Sequence, residues 1–256
     1  MYNELIHIGP VTVYGYGLMT AIGILSAYLV GVFRAKKHGL LPERIFGIVV
    51  WCCIFGYAGS KLLYTITVFD RVVKNPAMLL DLSNGWVVYG GILGGILGAV
   101  IYCRRKNLSF ISYFDLCMPE VALAQGFGRI GCFLAGCCYG EKTDLPIGIV
   151  FSNSSYAPNG VPLIPTQLIS SGLDFLNFFV LVWISRRTKR RGVVGGCYLI
   201  FYSVGRFVME FFRGDLERGL IGPLSTSQFI AIFVFLAGVI VVLGAGGFEG
   251  KKARNA

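Results

Sequence analysis

The sequence predicts an all-α integral membrane protein of seven transmembrane helices, with its amino terminus outside and its carboxyl terminus in the cytoplasm. Three observations carry this. Of 256 residues, 55% are hydrophobic and only 14% charged, against about 25% charged in a soluble domain. The mean hydropathy is +0.69. The 23 lysines and arginines gather in short runs between apolar segments, as membrane topology demands. The net charge of +10 is therefore a topological signal, and without a nucleic-acid-binding motif no nucleic-acid partner is expected.

Seven apolar segments follow in order: Val13–Phe33, Phe46–Tyr64, Trp86–Cys103, Leu116–Cys138, Thr166–Ile184, Val193–Phe212 and Ser227–Leu243. Each approaches the ~20 residues that span a hydrocarbon core. Basic runs follow the odd-numbered segments: Arg34, Lys36, Lys37 and Arg44; Arg104–Lys106; Arg186–Arg191; and Lys251–Arg254. Together they hold 15 of the 23 basic residues. Seven alternating spans place them all on one face, which the positive-inside rule makes cytoplasmic. One span more or fewer would scatter them.

The outer connections are then 67–85, 139–165 and 213–226. In the second, Ile147–Phe151 and Val161–Ile164 flank Pro158-Asn159-Gly160 and read as a β-hairpin. Residues 1–256 read as one polytopic membrane domain without linker or low-complexity tract. Met1–Pro10 lacks a basic n-region, so no cleavable signal peptide is expected. His7 and His38 receive no role.

The chain is organised around Gly128-Arg129-Ile130-Gly131-Cys132-Phe133-Leu134-Ala135-Gly136-Cys137-Cys138-Tyr139-Gly140. Its arginine lies inside a span, where a guanidinium costs about 2.5–3.5 kcal/mol. Such a residue faces a cavity or a partner; the plain alternative pins it to a carbonyl or to Glu120 for packing. At ~1.5 Å per residue, Arg129 and Arg206 sit at matched depth in the outer half of the membrane. Tyr16, Tyr89 and Thr166-Gln167 lie near the outer ends of inward-running spans. Two guanidinium forks at one depth suit a phosphodiester, and an outer-leaflet lipid headgroup lies there. Each feature has a second reading: Glu210 as an intrahelical neutraliser of Arg206 at i, i+4, the tyrosines as interfacial aromatics, and Gly90, Gly91, Gly94 and Gly95 as a helix-packing face. Cys132, Cys137 and Cys138 are packing residues, a local disulfide or reactive thiols. Packing is the favoured reading, because no paired histidines or second CxxC marks a metal.

Gly128-Arg129-Ile130-Gly131 with Phe133, Gly136 and Tyr139-Gly140 resembles the signature of the bacterial prolipoprotein diacylglyceryl transferases. Tyr16-Gly17-Leu18-Met19, Gly90-Gly91-Ile92-Leu93-Gly94, Pro165-Thr166-Gln167-Leu168, the stretch from Tyr202 through Gly205-Arg206-Phe207 and Glu210-Phe211 to Arg213, and Leu224-Ser225-Thr226-Ser227-Gln228 match in order over nearly the whole chain. The resemblance implies seven spans and an enzyme of the bacterial cytoplasmic membrane. It would move diacylglycerol from phosphatidylglycerol to the lipobox cysteine of a prolipoprotein, release glycerol phosphate, and need no cofactor or metal. Carried over, Arg129 and Arg206 hold the phosphate and Glu210 orders them. Tyr16 and Tyr202 line the lipid site, and Gly90, Gly91, Gln167 and Arg213 fall in matching substrate motifs. Three departures stand out. Tyr89 occupies the family's histidine position, Cys132 its asparagine position, and Ile164-Pro165-Thr166-Gln167-Leu168-Ile169-Ser170 lacks a histidine and a glutamate. A tyrosine with pKa near 10 is a poor base at neutral pH, which leaves Tyr89 a positioning or catalytic role. The competing readings are a divergent transferase with another acceptor, an anionic-lipid-binding or transport protein without chemistry, and a structural membrane subunit, which would not tolerate two intramembrane arginines.

Overall fold

Long runs of leucine, isoleucine, phenylalanine and alanine with few breakers make helices, and helices dominate. The computed structural model describes residues 4–8, 11–75, 86–215 and 219–245. A strand pair β1 (Glu4–Ile8) and β2 (Val11–Tyr14) leads into α1 (Gly15–Lys37), α2 (Glu43–Thr67), a short α3 (Phe69–Lys74), α4 (Val88–Arg105) and α5 (Phe110–Ala135). Strands β3 (Ile149–Val150) and β4 (Pro162–Leu163) precede α6 (Thr166–Arg187), and α7 (Val193–Met209) ends in a 3-10 turn over Glu210–Phe212. Strands β5 (Leu220–Ile221) and β6 (Leu224–Ser225) then lead into α8 (Thr226–Gly244).

Each of the seven apolar segments coincides with one long helix, and the protein is a helical membrane protein. Among the described residues five helices are long and apolar enough to cross a bilayer: α1, α2, α6, α8, and α7 with its 3-10 turn. Helix α4 is only 18 residues long and ends in Arg104-Arg105. Helix α5 carries Asp115, Glu120 and Arg129. Large apolar side chains cover the helix exteriors, with Leu243 79% and Ile240 69% exposed, as lipid contact requires.

Three boundaries differ from the expectation. Val13 belongs to β2, where Val11-Thr12-Val13-Tyr14 is a run of β-branched residues closed by an aromatic. The expected loop after α2 contains α3, and its residues 76–85 lie outside those described. The fourth segment, expected over Leu116–Cys138, is a helix over Phe110–Ala135. Its end is a Schellman motif: Gly136 is left-handed (φ 78°), its N–H donates to the Phe133 carbonyl, and the Cys137 N–H donates to the Cys132 carbonyl.

The chain divides into two compact units, Val32–Tyr113 and Met1–Gly31 with Phe114–Ala256. In the first, α2 and α4 pack antiparallel through glycines: a Cβ on Gly94 would run into the Phe55 carbonyl, and one on Gly98 would lie 2.6 Å from that of Trp51. Backbones approach this closely only where side chains are absent.

In the second unit, Ala122, Leu181, Val194 and Tyr198 join α5, α6 and α7 in one buried cluster. Asp115 on α5 fastens the start of α7, accepting the Gly192 N–H at 2.5 Å and the Gly195 N–H at 2.8 Å. Those donors are among the orphans of a helix N-terminus, which explains a carboxylate there. Gly196 and Gly238 bring α7 and α8 together. A capping box opens α8: Ser225 Oγ accepts the Gln228 N–H, and Gln228 Oε1 accepts the Ser225 N–H, both at 3.1 Å. The segment between α5 and α6 has its own small core of Phe151, Ala157 and Leu163, with β3 and β4 pairing Ile149 to Leu163 and Val150 to Pro162.

Candidate active site

A cavity of about 290 Å³ lies between α5, α6 and α7, lined by Arg129, Ser170, Asp174, Asn177, Tyr202, Gly205 and Arg206 among others. Its apolar lining includes Leu173, Leu176 and Phe201, all exposed, so an apolar edge of the cavity reaches the protein exterior.

The two arginines differ. Arg206 is engaged: one terminal nitrogen pairs with Glu210 at 2.7 Å, and the other donates to Ser227 Oγ at 2.7 Å. Both ion-pair side chains are largely buried, at 14% and 7% exposure. Arg129 is half-buried and has no hydrogen-bond or ion-pair partner among the described residues. Asp174 and Tyr202 are within its electrostatic reach. Neither a carbonyl nor Glu120 pins it, so its fork is open toward the cavity.

Glycine places Arg129 there. A Cβ on Gly131 would lie 3.2–3.3 Å from Tyr16 and Met19 of α1, and one on Gly126 would run into the Phe175 ring of α6. Ser171 Oγ donates to the Gly126 carbonyl at 2.8 Å and ties the two helices below the cavity. Tyr202 stacks on Tyr198 with ring centroids 5.8 Å apart, and Tyr198 donates to Gln125 Oε1 at 2.9 Å.

The cavity therefore unites Arg129, Arg206 and Tyr202, with Glu210 holding Arg206. Tyr16 packs against the same stretch of α5 through Gly131. Gln167 and Arg213 are absent from the lining. Gln167 Nε2 donates to the Cys137 carbonyl, and neighbouring Thr166 Oγ1 donates to that of Cys138, both at 2.8 Å. Arg213 is buried in a bidentate pair with Asp215, at 2.9 and 2.7 Å. Burial raises the Asp215 carboxyl above the ordinary carboxylate range while Arg213 opposes the shift. Tyr89, Gly90 and Gly91 open α4 in the other compact unit, where Gly90 lies against Gly59 of α2.

Two cavity residues escaped the sequence reading. Asp174 lines it, as does Asn177, whose buried Oδ1 has no hydrogen-bond partner among the described residues. The signal was present: Ser170, Asp174 and Asn177 stand at i, i+4 and i+7, one polar face on an apolar helix. An intramembrane carboxylate is a functional candidate by default.

The cysteines at the end of α5 also gather. None of the eight cysteines forms a disulfide, and the sulfurs of Cys132, Cys137 and Cys138 lie within 4.8 Å of one another.

The chain is similar to known proteins over nearly its whole length. The family model for prolipoprotein diacylglyceryl transferase matches residues 3–244. The phosphatidylglycerol–prolipoprotein diacylglyceryl transferase of Clostridium tetani is 49% identical over 229 residues, covering 90% of this chain and 92% of its own. A Clostridium perfringens protein of that name, numbered 2, is 44% identical with 90% of each chain covered. One from Geobacter sulfurreducens is 33% identical with 89% of each covered.

Proposed function

The chain belongs to the prolipoprotein diacylglyceryl transferase family, and on that premise we propose how its residues divide the reaction. The enzyme is a transferase of lipoprotein biosynthesis. It moves the diacylglyceryl group of phosphatidylglycerol to the lipobox cysteine of a prolipoprotein, forming a thioether and releasing glycerol phosphate.

The observation that carries the proposal is the unpaired Arg129 fork on the cavity. The phosphodiester of phosphatidylglycerol docks there in the bidentate geometry of a guanidinium. A site of this size takes the phosphoglycerol head, and the acyl chains pass over Leu173, Leu176 and Phe201 into lipid. Asn177 Oδ1 is a free acceptor for a glycerol hydroxyl. When the acceptor sulfur attacks the glyceryl carbon, the C–O bond breaks and charge builds on the departing phosphate. Arg129 and the pre-oriented Arg206 stabilise that charge, an electrostatic contribution of the kind that dominates such catalysis. Glu210 fixes Arg206, and Tyr16 and Tyr202 flank the lipid. Gln167 and Arg213 act from behind, holding the loop after α5 and its neighbour at 213–215. Tyr89, Gly90 and Gly91 keep a substrate role on the family motif alone.

The finer topology belongs to the same proposal. All seven long helices span the bacterial cytoplasmic membrane, the amino terminus lies outside, and residues 1–256 make one polytopic protein with outer loops 67–85, 139–165 and 213–226. Single-cysteine variants at Asn3 and Ala256, in a cysteine-free background, test it. An impermeant reagent on intact cells labels position 3 only; labelling of position 256 overturns the seven-span reading. Purified protein given labelled phosphatidylglycerol and a lipobox peptide should return lipidated peptide. A protein that binds the lipid but never lipidates the peptide would instead be an anionic-lipid binder.

A further inference from the structure

The Schellman motif that ends α5 does more than stop a helix. It sets residue C″ against residue C3, which here are Cys137 and Cys132. Cys138 then adopts a left-handed conformation (φ 61°), costly for a residue with a Cβ and typical of functional loops. The turn carries its thiol back to the same point, and all three sulfurs lie within 4.8 Å. The loop is held from α6: Thr166 and Gln167, 3% and 1% exposed, donate to the carbonyls of Cys138 and Cys137. A packing role needs neither the strained residue nor the pinned carbonyls.

We propose that Cys132, Cys137 and Cys138 form a three-thiolate site for a zinc-type divalent cation, whose fourth position takes the acceptor cysteine of the prolipoprotein. This rests on the transferase reading above.

Tetrahedral zinc with Zn–S of about 2.3 Å sets sulfur–sulfur separations at about 3.8 Å, so the cluster closes on the ion with movements of about 1 Å. Three protein ligands with an open fourth position is the arrangement of reactive rather than structural zinc. Three thiolates on a divalent ion carry one net negative charge. Arg129 lies within electrostatic reach of Cys132 and Cys138, so a cation for that charge is in place, while Arg213, also within reach of Cys138, is already paired with Asp215. Cys132 is also one helical turn from Arg129, which puts a metal-held sulfur beside the docked phosphodiester.

The chemistry fits the reaction. A thiol coordinated to such an ion is deprotonated outright, its proton passing to solvent. The sulfur pair then forms the S–C bond to the glyceryl carbon as the C–O bond breaks and its electron pair leaves on phosphate. The neutral thioether dissociates from the metal, and nothing is oxidised or reduced.

The test uses full-length reduced protein, stripped of metal and titrated with cadmium, whose thiolate charge-transfer band reports ligation. One ion per chain is expected. Cys137→Ser or Cys138→Ser should weaken it at least tenfold, and serine at all three positions should abolish the band while leaving the other five cysteines. Adding a lipobox peptide should raise the band by about a third, from three thiolates to four, while its Cys→Ser analogue does nothing. Zinc-loaded protein should lipidate the peptide at least tenfold faster than stripped protein. Absence of the band, a band that survives the triple substitution, or a protein mass two hydrogens light overturns the site. A band that ignores the cysteine peptide, as a three-coordinate copper-like site would, or equal lipidation by stripped protein, overturns the acceptor role. A band that grows with peptide in a protein that never lipidates it supports the metal site and overturns the transferase reading.

Discussion

Replacing Arg129 and Arg206 by alanine, one at a time, should give two different phenotypes. In the proposed reaction either change removes a guanidinium that stabilises charge on the leaving phosphate, a loss of about 2–4 kcal/mol, or roughly 30- to 900-fold in rate. The folded state responds differently. Arg129 has no hydrogen-bond or ion-pair partner among the described residues, so its removal breaks no bond and leaves only Asp174, within its electrostatic reach, without a nearby cation. Arg206 neutralises Glu210, whose side chain is 7% exposed. Removing one member of a buried pair costs about 3–5 kcal/mol, because the other charge stays behind. Arg129→Ala should therefore be slow and as stable as the parent, while Arg206→Ala should be slow and markedly less stable. Arg206→Ala combined with Glu210→Gln should recover stability without recovering rate. The assay pairs lipobox-peptide lipidation with thermal unfolding in the same detergent. Arg129→Lys should rescue poorly, since an ammonium lacks the fork. Parent-level turnover in Arg129→Ala, or equal destabilisation by both single variants, would refute the assignment of one open and one engaged arginine.

The remaining predictions concern other links of the structure. If the position supplies a hydroxyl contact rather than a base, Tyr89→Phe should lose activity and Tyr89→His change little; a large gain in Tyr89→His with an inflection near pH 6.5 would contradict this. Asp115→Ala should destabilise the protein by about 1–2 kcal/mol, the scale of a lost helix cap, with KM for lipid unchanged; thermal unfolding and a substrate titration check both. Gly94→Ala should cost about 1–3 kcal/mol, as overpacking does, since its Cβ meets the Phe55 carbonyl, whereas Gly172→Ala, open within 4 Å, should be neutral by the same melt.

The sequence by itself determined the class of protein and the family. Apolar runs of about 20 residues can satisfy their backbone in lipid only as helices, so each segment became one. An arginine within such a run needs a reason, and Arg129 and Arg206 were legible on that ground alone. The i, i+4, i+7 face of Ser170, Asp174 and Asn177, the Ser225–Gln228 capping box and the Gly136 stop signal were equally present, because each is a local pattern of period or spacing. What only the tertiary structure decided is which polar group meets which. Whether Arg129 is pinned or open depends on how closely α1 and α6 approach α5, and that is set by a tyrosine seating on Gly131 and a phenylalanine on Gly126. Arg213 falls in a motif that implies substrate binding, yet its fork closes on Asp215 two residues away. The three cysteines read as packing because spacing alone cannot say which way a chain turns after its helix. Gly136 marks the stop, but the turn is completed by the left-handed Cys138, a backbone geometry that its side chain does not encode.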